Sequence, residues 1–321
     1  MNHYRLHDFG LVLIMKHQKF LERVCMLYDV IIIGGSYAGL AAALPLARAR
    51  RQLLVIDAGQ RRNRFADRSH GFLTQDGAKA ADIAAVAREQ VLAYGTVQWL
   101  DASATGARPV ENGFEVETDG AAVHTARRLV LAGGVVGTLA EVPGLAERWG
   151  RQVFHCPYCH GYELQQGRIG VLATSELAMH QALLLPDWGR TTLLLNDCFT
   201  PDAQQLAQLQ ARGVRIESGA VQAITGQADV RLDDGRVLAF DGLFTAPQSR
   251  VESPVARALG CEISAGPMGS VIQTDALKAT TVANVFACGD AARLGGSVPL
   301  AVGDGTMAGL AAHRSLVFAP H

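Results

Sequence analysis

Short apolar runs and amphipathic stretches alternate along this chain. Tyr28–Ile33, Leu53–Ile56 and Arg128–Ala132 are largely apolar and rich in branched residues, the pattern of strands buried on both faces. Leu40–Ala49, dense in Ala and Leu, predicts a helix between the first two, and Ala78–Ala93 predicts an amphipathic one. Arg61–Gly77 is polar and loop-like, and Val97–Gly120 reads as a small antiparallel excursion turning at Glu111-Asn112-Gly113 and Asp119-Gly120. The alternation then restarts: strand Arg168–Ala173, helix Glu176–Leu185, strand Thr191–Leu195, and a helix over Pro201–Arg212 with Thr200 placed to cap it. Short strands follow over Val214–Asp241, around Asp233-Asp234-Gly235. A last strand, Val285–Cys288, runs into Gly289-Asp290 and a helix over Val298–Leu316. Val142-Pro143-Gly144 and Leu243–Arg250, which holds Pro247, read as two linkers. Strand and helix in repeated alternation indicate an α/β chain with parallel sheets.

The first strand opens into Gly34-Gly35-Ser36-Tyr37-Ala38-Gly39. Gly34 permits a tight turn, Gly39 permits close helix–strand approach, and the helix start offers N–H groups to a pyrophosphate. Asp57 ends the next strand, 23 residues after Gly34, where a carboxylate takes adenosine ribose hydroxyls. Ser36 replaces the middle glycine, yet strand, turn, helix and acid stand in register for dinucleotide binding. The second unit lacks such a turn, because Ala173 and Ser175 stand where its first two glycines belong. Its second strand ends in Asn196-Asp197, the wrong sign for a 2′-phosphate. Its nucleotide chemistry reads as eroded, with a tolerant NADH site as the alternative.

Between the two units lies His155-Cys156-Pro157-Tyr158-Cys159-His160. A zinc site would need two more ligands at similar spacing, while Cys25, Cys198, Cys261 and Cys288 are scattered singly. The C-x-x-C-H string also fits c-type haem attachment, an exported chemistry, and two merely buried cysteines are the plain alternative. A redox-active disulfide is the reading favoured by the proline and flanking histidines. The composition is ordinary: 49% hydrophobic, 18% charged, net charge −1, six cysteines in 321 residues. That balance offers nothing to neutralise nucleic-acid phosphates and too few cysteines for a secreted disulfide scaffold, so a reducing cytoplasm is expected. Residues 1–25 hold only a short apolar run, Leu11–Met15, and read as an extension without bearing on function. No stretch reaches membrane-spanning length.

Together, the glycine turn, the C-x-x-C pair and the terminal Gly-Asp segment resemble the low-molecular-weight thioredoxin reductase family of flavoproteins over nearly all of residues 26–321. The resemblance implies two three-layer Rossmann-like domains, the second inserted into the first: 26–141 with 249–321 for FAD, and 142–248 carrying the redox pair. It implies that Gly34, Gly35, Ser36, Gly39, Asp57, Gly133, Gly289 and Asp290 bind FAD, with Val298 and Ala301 facing the flavin pyrimidine. It further implies that Cys159 lies against the flavin, Cys156 exchanges with substrate, and His160 is the acid/base, with an ordinary pKa of ~6.5; His155 is a second candidate. His160 stands where the reductases usually carry Asp, and the second nucleotide fingerprint is degraded. Both departures resemble the dithiol oxidase branch that closes gliotoxin- and holomycin-type disulfides. The expected function is therefore oxidation of a dithiol through Cys156–Cys159 and FAD to oxygen or another acceptor, with NAD(P)H use weak or absent. An NAD(P)H-dependent thioredoxin or disulfide reductase and a flavin-binding redox sensor are the alternatives. The expected partner is a small dithiol or a thioredoxin-like protein, and the expected assembly a homodimer.

Overall fold

In the computed structural model, which describes residues 26–318, Leu27–Ile33 forms strand β1 with Val30, Ile31 and Ile32 wholly inaccessible. The expected extension, residues 1–25, lies outside the described residues. Helix α1 (Tyr37–Arg48) starts earlier than its Ala/Leu-rich run, because the Ser36 carbonyl already accepts the Leu40 N–H. After β2 (Leu53–Asp57) the polar stretch holds a single turn, Arg62–Phe65, and a small ladder of β3 (Arg68–Ser69) with β4 (Ala78–Lys79). Helix α2 (Ala80–Leu92) leads to β5 (Val97–Asp101), β6 (Ala104–Val110), β7 (Gly113–Thr118) and β8 (Val123–Leu131). The antiparallel excursion is shorter than expected: β5 runs parallel to β2 with Leu100 opposite Ile56, and only β6 and β7 are antiparallel.

Past β9 (Val136–Thr138) come β10 (Val153–Phe154), the one-turn helix α3 (Pro157–His160), β11 (Gln166–Leu172), α4 (Ala178–Leu184) and β12 (Gly189–Leu194). Helix α5 (Ala203–Ala211) is capped by Asp202 rather than Thr200. The Asp202 carboxylate accepts the Gln205 N–H at 2.8 Å while the Gln205 side chain accepts the Asp202 N–H at 2.9 Å, a reciprocal box. Then follow β13 (Arg215–Glu217), β14 (Val221–Thr225), β15 (Asp229–Leu232), β16 (Val237–Ala239) and β17 (Gly242–Phe244). The chain returns through β18 (Gln248–Arg250), α6 (Pro254–Ala258), β19 (Ile263–Gly266), β20 (Gly269–Ile272), β21 (Val285–Ala287) and α7 (Val298–Val317). The expected linker Leu243–Arg250 is thus corrected. Leu243 and Phe244 are fully buried in a central strand, and three residues are too few to show a period.

The larger sheet runs β5-β2-β1-β8, and β8 then forks. Its first half pairs with β7 and its second half with β21, bringing residues 285–287 beside residues 129–131. Helices α1 and α7 cover one face of this sheet, over Val30, Ile32 and Val55. The opposite face packs Ile31, Leu54 and Leu129 against Val255 and Ile272. The second sheet, β10-β17-β11-β12-β13, is all parallel, with the α4 and α5 helices on one face and β14–β16 on the other. The two crossings between the sheets, β9 outward and β18 returning, pair antiparallel with Gly137 opposite Ser249. Among the described residues, no helix is long and apolar enough to cross a membrane.

Candidate active site

The β1–α1 turn is built by close backbone packing. Gly34 has φ +101°, a conformation that favours glycine, and a Cβ on Gly39 would fall 1.8 Å from the Gly34 carbonyl oxygen. Asp57, at the end of β2, accepts the Gly35 N–H on Oδ1 at 2.9 Å, which turns its carboxylate across the mouth of the turn. Ser36 makes no side-chain cap, so the N–H groups of the first turn of α1 face outward without one. Added Cβ atoms on Gly133 and Gly134, just past β8, would meet nothing within 4 Å, so the space in front of these two glycines is open, while Gly34 packs against the Ala132 backbone. This arrangement suits a dinucleotide pyrophosphate, with Asp57 reaching the ribose.

Helix α7 is drawn against α1 by two glycines. A Cβ on Gly305 would lie 2.0 Å from the Ala38 carbonyl oxygen, and one on Gly309 would lie 2.3 Å from that of Ala42. The close approach aligns the starts of both helices, and Val298 and Ala301 pack with Tyr37, Ile83 and Ala84. Asp290 follows Gly289 in a short turn, Gly289–Ala292, that precedes α7, and pairs with Arg62 at 2.8 Å; Arg62 also donates to Ser249 at 3.0 Å. Asp304, in the middle of α7, accepts from Lys278 at 2.8 Å and from Arg293 at 2.9 and 3.0 Å. Burial raises its pKa, but these hydrogen bonds outweigh burial and hold the carboxyl below its ordinary range. Cys288 is fully buried, with its thiol pushed up to about 12 by burial first and by Asp304 second, so it is no additional reactive thiol.

Cys156 and Cys159 are joined as a disulfide across α3, with Cα atoms 5.3 Å apart. Cys156 stands at the N-cap of α3 in extended conformation, and the Cys159 N–H reaches back to its carbonyl at 3.2 Å. His160 lies flat on Phe154, ring centroids 4.4 Å apart, and its Nδ1 is buried with no hydrogen-bond partner among the described residues. Burial, then the charge of His70, pushes its pKa down to about 4, so the ordinary value expected from the sequence is corrected. His155 is pushed down to about 3 by burial, then Arg62 and His160. Both rings are neutral at pH 7. The loop after β2 touches this segment: His70 Nδ1 lies 3.4 Å from Glu163, and Gly150 packs on the Phe65 backbone. The charge of Arg62, which pairs with Asp290, also lowers the pKa of His155, next to Cys156. Tyr158 and Tyr162 are 70% and 84% exposed, leaving an aromatic rim open beside the disulfide.

At the turn of the second unit, neighbouring side chains pair with one another. Glu176, just before α4, accepts from Gln205 at 2.6 Å. Asn196 donates to the Ala173 carbonyl at 3.2 Å and accepts the Val221 N–H at 2.8 Å. Arg212 is committed to Asp187 at 2.7 Å and to the Leu183 carbonyl at 3.0 Å.

A family model described as pyridine nucleotide-disulphide oxidoreductase matches residues 28–305. The chain belongs to that family. Thioredoxin reductase tcpT of Claviceps purpurea is 31% identical over 304 residues, covering 90% of this chain and 94% of its own. Among solved structures, an oxidoreductase from Agrobacterium tumefaciens is 57% identical with a TM-score of 0.90, covering 92% of this chain and all of its own. The structure of HlmI is 33% identical with a TM-score of 0.85, over 91% of this chain and 93% of its own. The chain is accordingly a thioredoxin reductase-like oxidoreductase of the group acting on disulfides, with the corresponding α/β fold. Within this oxidoreductase the expected site residues fall in two groups. Gly34, Gly35, Ser36, Gly39, Asp57 and Gly133 gather at one end of the large sheet, with Gly289, Asp290, Val298 and Ala301 beside α1. Cys156, Cys159 and His160 sit across the Arg62 loop. Sequence reasoning passed over Arg62, Asp304 and Gln181. Their signal is a charge or amide in an otherwise unremarkable segment. The Gly305-x-x-x-Gly309 spacing was readable as a close helix contact.

Proposed function

We propose that this oxidoreductase is a FAD-dependent dithiol oxidase, in which residues 26–141 and 249–321 hold FAD and residues 142–248 carry the redox pair. The observation that carries this reading is the second turn. Glu176, just ahead of α4, puts a carboxylate paired with Gln205 beside that turn, Ala173 and Ser175 add side chains where a pyrophosphate needs bare backbone, and Arg212 is already paired. Members of the thioredoxin reductase-like family generally bind FAD, and the β1–α1 turn, Asp57 and Asp290 suit that cofactor. Bound FAD supplies a two-electron acceptor that restores the disulfide and delivers the electrons to oxygen or another acceptor.

A substrate thiolate attacks Cys156 Sγ; the bond to Cys159 breaks and Cys159 leaves as thiolate. The second substrate thiol then attacks the mixed disulfide, its new S–S bond forms, and Cys156 is released, so the substrate loses two electrons and the pair gains them. His160, neutral at pH 7, takes a proton from the incoming thiol, favoured by the negative charge appearing on Cys159 beside it. A cytoplasmic homodimer belongs to the same reading. Leu300, Met307, Leu310 and Val317 recur along the exposed side of α7, a surface suited to a second copy.

The second reading is an NAD(P)H-dependent disulfide reductase, favoured by the pyridine nucleotide in the family description and by relatives named thioredoxin reductase. Anaerobic stopped-flow mixing separates the two. The oxidase should bleach rapidly with dithiothreitol and slowly with NADPH or NADH. Bleaching by either nucleotide at the steady-state turnover rate would make the protein a reductase.

A further inference from the structure

Gln181 lies on α4 and is 5% exposed, yet it keeps a polar amide in the core of the second unit. Its Nε2 donates to the His155 carbonyl at 2.8 Å and, more weakly, to the Thr245 carbonyl at 3.4 Å. His155 and Thr245 are the first residues beyond β10 and β17. The last rung between those strands is the Thr245 N–H to the Phe154 carbonyl, at 2.9 Å. Past that rung the chains part, one toward Cys156 and the other toward β18. A single amide therefore ties both departing ends. It does so at a cost, because Gln181 Oε1 is buried with no partner among the described residues. An unpaired buried acceptor is destabilising, and methionine, similar in length, would avoid it only by giving up the donor to the His155 carbonyl. Packing alone gives no reason for glutamine here.

The need for a tether is local. Strand β10 has two residues and sits at the edge of its sheet, so few backbone hydrogen bonds fix the approach to Cys156. Cys159 is better held, by the turn of α3 and by His160 stacked on Phe154. Position is thus least secure at Cys156 and its sulfur.

We propose that Gln181 is a positioning residue for the redox pair: by fixing the His155 carbonyl it keeps Cys156 within bonding reach of Cys159 once the disulfide is open. This rests on the reading of Cys156–Cys159 as the reacting pair. The balance between dithiol and disulfide depends on the effective concentration of one thiol at the other. Tethering Cys156 raises that concentration and favours closure. Loss of the tether makes the pair easier to reduce, with no change in either cysteine.

The test equilibrates the purified full-length protein with dithiothreitol redox buffers under anaerobic conditions, so that no electrons drain to oxygen, traps free thiols by alkylation, and counts them at Cys156 and Cys159 by mass. Each dithiothreitol oxidised gives two electrons and two protons to the pair and closes its own ring. Gln181→Met should move the equilibrium constant about tenfold toward the dithiol, about 30 mV for a two-electron couple. Thr245→Val removes a neighbouring buried hydroxyl that has no partner among the described residues and leaves both carbonyls in place, so its equilibrium should match the wild type. An unchanged constant in Gln181→Met overturns the proposal, as does an equal shift in Thr245→Val, which would mark a general repacking effect. A wild-type pair that dithiothreitol cannot reduce would remove the redox reading itself, and the positioning role with it.

Discussion

At the scale of single residues, His160 does two things that can be measured apart. In the proton-acceptor role proposed for it, it should matter to rate: His160→Asn should lower thiol-dependent flavin reduction by roughly 10²-fold or more, with FAD still bound. The acid limb of that rate should fall near pH 4 instead of near 6.5, since burial keeps the ring neutral through that range. Stability carries the second signature. The folded pKa values of His160 and His155, about 4 and about 3, lie below the ~6.5 of an unfolded chain. Between those limits the unfolded state binds more protons, so stability should fall as pH drops below about 6.5 and hold level above it from this source. Urea midpoints across pH 4–8 check this, and His160→Asn should flatten the slope. The sequence made the two cysteines and the histidine legible by spacing. It could not give the pKa, which depends on Phe154 lying across the ring and on His70 arriving from a loop 90 positions away in the chain.

At the scale of elements, the pairing of α1 with α7 decides where the Gly-Asp segment can sit. Gly305→Ala should destabilise by about 1–3 kcal/mol, because its Cβ would strike the Ala38 carbonyl, and should weaken FAD retention as the helix starts separate. Gly303→Ala, two residues earlier with nothing within 4 Å, should stabilise by about 0.5–1 kcal/mol through helix propensity. Urea melts and flavin release compare the pair, and equal effects would remove the close-contact explanation. The long strands, α1 and α7 were legible because burial on both faces and helical period leave strong marks over seven or more residues. Strands β10 and β17, of two and three residues, leave none, although β10 leads directly into Cys156 and β17 is the strand it pairs with. Asp202 displaced Thr200 as the cap of α5 because Gln205 completes its reciprocal box.

At the scale of the whole molecule, the cradle proposed for FAD draws on residues 34–57, Gly133 and 289–301, all on or beside the larger sheet, and takes nothing from the strands of the second sheet. Stripping the flavin should therefore lower the melting of the larger sheet alone. Calorimetry should resolve two transitions, the upper one moving with FAD by about 2.7 kcal/mol at a hundredfold excess over Kd. One transition that shifts as a whole would mean that the two sheets unfold together. The repeated strand-helix-strand order made the two-unit plan visible in the sequence, while the pairing of Arg62 with Asp290 and the packing of Phe65 on Gly150 depend on folding and left no local pattern. The antiparallel pairing of β9 with β18 has an architectural consequence. Thr138 and Gln248 are partners in that ladder, so their Cα atoms stand about 5 Å apart. Residues 139–247 then form a cassette whose two ends meet at one hinge, and a tight hairpin turn could splice it out. The shortened chain should still bind FAD while losing all dithiol chemistry, and a foreign redox cassette grafted at the same point should inherit the flavin.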